Sequence, residues 1–187
     1  MDATLEKDGH RYVLMVERRL AHPPERVWQV VTDRELVRQW FPCEIEGEWR
    51  VGAPLRFHFL QGEGEGLPDE DLRGEVVAID EPWLLEYRWG SHFLKYEIES
   101  DGDGCRFRLF ESFEDPSWGA RNAAGWEMCL ENLDLILEGA AAAKFAAEVW
   151  KTKFRRYVAK FEPAFGAQDD PSGKHALLPE EEPKEPT

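Results

Sequence analysis
The chain has 187 residues, a formal net charge of −15, a hydrophobic fraction of 42% and 8 tryptophans. That length holds one domain with a sizeable core plus a tail, and the negative charge argues against a nucleic-acid backbone or an anionic membrane as partner, since both call for a positive surface. Cys43, Cys105 and Cys129 form no C-x-x-C pair and no two of the five histidines share metal-ligand spacing, so reduced thiols are expected, with no metal and no cofactor. The opening "MDATLEKDGHRYVLM" lacks a basic segment followed by an apolar one, and no stretch approaches the roughly 20 apolar residues that span a bilayer. A cytoplasmic location is expected.

In chain order, "HRYVLMVERRL" (10–20) is rich in β-branched and large apolar residues and predicts the first strand. Pro23 and Pro24 then open a helix with Val27, Val30 and Val31 on one face. "TDRE" (32–35) has the form of a capping box, Thr32 with Glu35, in which Asp33 is a competing cap; the short helix it starts runs to Trp40 and Phe41 before Pro42. From 43 to 113 the pattern has period two. It sets Ile45 and Trp49, then Leu55, Phe57 and Phe59, then Leu85, Tyr87 and Trp89, then Leu94, Tyr96 and Ile98, each on one face of an antiparallel strand. The Gly-rich acidic stretch 61–71 reads as a mobile loop, and "SDGDG" (100–104) as a hairpin turn. "GWEMCLENLDLILEG" (125–139) is a helix with Trp126, Cys129, Leu130, Leu133, Ile136 and Leu137 in one stripe. A further helix, about 141–161, carries Ala147, Trp150, Phe154, Tyr157 and Phe161 on one face. Its cluster of lysines and arginines suits either an acidic partner or docking on the chain's own acidic surface. The remainder, 166–187, reads as a disordered acidic tail, leaving residues 1–165 as a single domain.

The strand "CRFRLFESF" (105–113) puts Glu111 on the same face as Cys105, Phe107, Leu109 and Phe113. An unpartnered charge there costs several kcal/mol or is neutralised, so Glu111 either has a partner, faces a wet cavity, or stays protonated and can act as acid or base. Arg18, the Tyr87 or Tyr96 hydroxyl and the Trp126 indole are the candidate partners, and a bulge that turns the side chain to solvent is the other structural solution.

"ERRLAHPPERVWQVVTDRELVRQWF", "GEVVAIDEPWLLEYRW" and "GWEMCLENLDLILEG" resemble bacterial homologues of the activator of heat shock protein 90 ATPase, in the START-like (SRPBCC) superfamily, over about residues 11–139. The resemblance implies an α+β, helix-grip fold. In it a curved antiparallel sheet of about six or seven strands surrounds a long C-terminal helix, with two short helices after the first strand. It also implies a small apolar or aromatic ligand between sheet and helix, with Trp40, Phe41, Phe57, Phe59, Tyr87, Trp89, Tyr96, Phe107, Glu111, Trp126 and Leu130 as candidate ligand-binding residues. Two alternatives stand beside it. One is a cyclase, aromatase or dehydratase with Glu111 as the catalytic acid or base; the other, carried by the family name, is regulation of a chaperone ATPase. No nucleophile elbow or phosphate loop marks the chain as an enzyme. Exposed strand edges and aromatic faces permit a homodimer.

Overall fold
A strand that the sequence pattern does not announce begins the molecule. In the computed structural model, which describes residues 2–59 and 72–169, β1 (Thr4–Asp8) turns at Gly9, φ 61°, and pairs with β2 (Arg11–Leu20) from Thr4 opposite Met15 to Asp8 opposite Arg11. "TLEKD" has no apolar alternation. It forms as an edge strand because Ala3 and Leu5 are buried and its charged side chains remain in solvent.

After β2 come α1 (Pro24–Thr32) and α2 (Arg34–Trp40), then β3 (Cys43–Gly47), β4 (Pro54–Phe59), β5 (Leu72–Asp80), β6 (Leu84–Trp89), β7 (His92–Asp101) and β8 (Gly104–Phe113). A 3-10 turn at Pro116–Trp118 leads into α3 (Gly119–Leu137), and α4 (Ala147–Phe165) follows. The strands form a sheet in the order β1-β2-β8-β7-β6-β5-β4-β3, every neighbouring pair antiparallel. Its eight strands exceed the six or seven expected; β1 supplies the excess.

Three local readings are corrected. The cap of α2 is Asp33, whose Oδ1 accepts from the Glu35 and Leu36 amides, while the Thr32 hydroxyl donates back to the Trp28 carbonyl inside α1. α3 begins at Gly119, six residues before the expected start, because Ala120, Ala123 and Ala124 are small enough to bury its first turns. α4 begins at Ala147, since the alanine-rich run before it is fixed outside a helix. Asn132 brackets Ala143 there, accepting from its amide at 2.8 Å and donating to its carbonyl at 3.3 Å.

The inner face of the sheet carries Leu14, Val16, Leu85, Tyr87, Leu94, Tyr96, Phe107, Leu109 and Phe113, all essentially inaccessible, and α3 covers it with Trp126, Leu130, Leu133 and Leu137. Burying each large apolar side chain of this kind contributes about 1.5–3 kcal/mol. α4 lies on the back of α3 and buries Phe154, Tyr157, Val158 and Phe161. Three of its basic residues pair with acids outside the helix: Lys153 reaches Glu127 and Glu131, Arg156 reaches Glu127, and Lys160 reaches Asp2. Gln168, in the expected tail, is buried and accepts from the Ala120 amide at 2.9 Å. The stretch 61–71 and the rest of the tail, 170–187, lie outside the described residues.

Candidate functional site
Glu111 enters the space between sheet and helix from β8, one residue among the apolar neighbours that share its face. It is 1% exposed and has partners on both oxygens. Oε1 lies 2.7 Å from His92 Nδ1 and accepts from Asn122 Nδ2 at 3.1 Å; Oε2 accepts from the Trp126 indole at 2.7 Å. Of the candidate partners, the Trp126 indole is the one the structure brings to the carboxylate. Arg18 does not reach it and instead faces Asp134 at 3.4 Å, while the two tyrosine hydroxyls turn to each other. No bulge is needed, because β8 keeps regular register with both β2 and β7.

His92 and Asn122 were not among the residues singled out in the sequence. The signal for His92 is its parity: it opens β7 on the face that Leu94, Tyr96 and Ile98 share. Asn122 stands one helical turn before Trp126, on the part of α3 whose small residues give little apolar periodicity.

Deeper along the sheet, Tyr87 and Tyr96 occupy neighbouring strands and bring their hydroxyls to 2.6 Å. Burial pushes both phenols well above their ordinary value. One hydrogen bond uses one of the two hydroxyl protons, so the pair retains a donor and unused lone pairs. Phe57 stacks on Tyr87 with ring centroids 5.9 Å apart, and Phe107 and Trp40 meet Tyr96 at 5.6 and 6.0 Å. The Trp40 indole is held by the Val30 carbonyl at 3.0 Å. Phe41 bridges Trp89 and Trp126, at 5.8 and 5.6 Å, and those two indoles meet at 5.8 Å. Leu130, on α3, is fully buried. Of the expected lining, these residues form one connected aromatic cluster joined to Glu111 through Trp126. Phe59 ends β4, and its side chain lies outside the described residues.

One position on α3 stands out by what it lacks. Gly125 is half-buried and has no positive φ; a Cβ built on it meets nothing within 4 Å among the described residues. Asn122 and Cys129 flank it one turn away on either side, both half-buried.

A long helix gripped by an antiparallel sheet, with two short helices between the second strand and the third, is the helix-grip fold. Residues 21–138 match the sequence profile of the Activator of Hsp90 ATPase homolog 1-like protein family, and the chain belongs to that family. Solved structures carry the same fold. The crystal structure of CalU16 from Micromonospora echinospora is 20% identical, matches 84% of this chain and 96% of its own, and has a TM-score of 0.68. A conserved protein of unknown function from Enterococcus faecalis, also 20% identical, matches 84% and 91% with a TM-score of 0.64. A Staphylococcus saprophyticus protein, 17% identical, matches 72% and 97% at 0.58. Likeness at these identities concerns the fold alone. No curated protein matches the chain. No helix among the described residues is long and apolar enough to cross a membrane.

Proposed function
We propose that the protein binds a small, largely apolar and preferably aromatic molecule between the sheet and α3, entering beside Gly125. The observation that carries this reading is the glycine itself. Within a helix, glycine costs about 0.5–1 kcal/mol relative to alanine, and it is normally retained for positive φ or for close backbone approach. Gly125 has neither reason, since its backbone is helical and its missing Cβ borders open space among the described residues. A ligand that passes against this face of α3 supplies the reason that folding does not. The aromatic cluster gives the walls, and the Tyr87–Tyr96 hydroxyl pair and the polar group around Glu111 give the few convergent polar contacts of a small-molecule site.

Glu111 as the reacting acid or base is less well supported, because three polar side chains already engage its oxygens. Regulation of a chaperone rests on no feature of the described residues.

The test is native mass spectrometry of freshly purified protein, with thermal shifts against planar aromatic compounds, on the natural chain and on Gly125→Leu. A ligand at a hundredfold excess over Kd stabilises by about 2.7 kcal/mol, a shift readily seen in melting. The expected result is an adduct or an upward shift in the natural chain and its loss in the folded variant. Absence of both in the natural chain, or equal binding by the two proteins, overturns the reading.

A further inference from the structure
We infer that His92 is the polar group that meets the ligand, and that the ligand therefore carries a hydroxyl on its aromatic frame. This inference rests on the binding reading above and deepens it. Glu111 is the obvious anchor from its charge, but both its oxygens are engaged and only 1% of it is accessible. His92 is engaged on one side only. Its Nδ1 faces the carboxylate at 2.7 Å; in a neutral imidazole that geometry directs Nδ1–H at the carboxylate and leaves the ring's lone pair on Nε2.

Nε2 has no hydrogen-bond partner among the described residues, and the side chain keeps 11% of its surface accessible. Trp118, Phe113 and Trp89 surround the ring, with centroids at 5.1, 5.6 and 6.1 Å. An acceptor in an aromatic setting selects for a donor. A ligand carbonyl or ether oxygen presents lone pair to lone pair; a hydroxyl donates to Nε2. The Arg121 guanidinium lies 4.3 Å over the Trp118 ring, so positive charge borders the same place and favours a hydroxyl whose oxygen gains electron density as it donates. This is phenol-like rather than alcohol-like chemistry. Glu111 is then a positioning residue: it holds the imidazole in the tautomer and orientation that the hydroxyl reads.

The experiment compares naphthol with its methyl ether, which differ only in the donor, by calorimetric titration of the natural chain and of His92→Phe. One hydrogen bond of this kind predicts binding of naphthol about tenfold tighter than the ether by the natural chain. His92→Phe keeps the aromatic volume and is expected to lose the discrimination between the two compounds. Because the variant leaves Glu111 with one partner fewer and can fail to fold, nitrogen NMR of the His92 ring in the natural chain provides the second readout. Naphthol should move the Nε2 resonance and the ether should not. Equal affinity for the two compounds, or discrimination with no movement of Nε2, overturns the inference and leaves the binding reading standing. If neither compound binds, this inference falls, and the binding reading is decided separately by the adduct and thermal-shift test of the natural chain and Gly125→Leu.

Discussion

The Lys153 ammonium lies 2.7 Å from the Glu127 carboxylate, and this contact, between side chains 12% and 6% exposed, fastens α4 to the back of α3. Tyr157 donates to the same carboxylate at 2.7 Å, and Arg156 completes the group. Burial alone would raise the Glu127 carboxyl. The hydrogen bonds from Lys153 and Tyr157, with the charges of Lys153 and Arg156, outweigh it and hold the group below its ordinary value. A carboxyl depressed in the folded state contributes stability above its unfolded pKa, and that contribution is lost as pH falls through the lower, folded value. Urea unfolding followed from neutral pH into the acid range should therefore show a steeper loss of stability for the natural chain than for Glu127→Gln. Parallel profiles would mean that apolar contacts alone hold α4. At neutral pH, Lys153→Met should cost about 1.5–3 kcal/mol, the scale of a hydrogen bond to a charged group.

The Tyr87 and Tyr96 hydroxyls share one buried hydrogen bond with each other. Tyr87→Phe or Tyr96→Phe alone leaves a buried hydroxyl without its partner and should destabilise by about 1–3 kcal/mol. The double replacement removes both polar groups together and should cost clearly less than the sum of the single changes. A double-mutant cycle in urea gives the coupling; strict additivity would show that each hydroxyl has an independent partner.

Gly125→Ala separates stability from binding. The added methyl group meets nothing within 4 Å among the described residues and removes helical glycine, so the melting temperature should rise, by an amount corresponding to about 0.5–1 kcal/mol. Any aromatic ligand identified by mass spectrometry should bind the same variant more weakly. A variant that is destabilised would indicate that the position is packed tightly in solution.

Burial pushes the Cys105 thiol up to about 11 and the Cys129 thiol up to about 12, and raises Cys43 as well. Thiolate is the reactive form, so iodoacetamide at mildly alkaline pH should label none of them at an appreciable rate in the folded protein and all of them in urea. Cys129 is the informative one, being half-buried beside Gly125. Fast labelling there would place its thiol in water with an ordinary pKa, contrary to its packing.

How far the sequence could be read follows from which physical signal each residue carries. Period-two alternation placed Glu111 on the inner face beside Phe107 and Leu109, and the stripe on α3 placed Trp126 opposite, so their contact could be named as one of several. The same parity applies to His92, but a lone histidine beside a Gly-Ser turn carries no apolar signal, and its role appears only once β7 and β8 are in register. Asn122 was hidden because the first turns of α3 are built from Gly119, Ala120, Ala123 and Ala124, whose burial depends on close approach rather than hydrophobic size. At the other end, high alanine content predicted a helix where Asn132 pins Ala143 in another conformation. A tertiary clamp of that kind outweighs the small per-residue helix preference of a short run.

The pairing of β2 with β8 sets Tyr12 opposite Phe113, joining segments about a hundred residues apart in the chain. The meander from β5 to β8 needs only hairpin turns and can assemble locally, whereas the β2–β8 seam must wait for a long loop to close. The rate of folding should therefore depend on when this seam forms. Substitutions at Leu14 or Val16, which pair with Glu111 and Leu109 across it, are expected to act on the late stages of assembly, and those within the β7–β8 hairpin on the early ones.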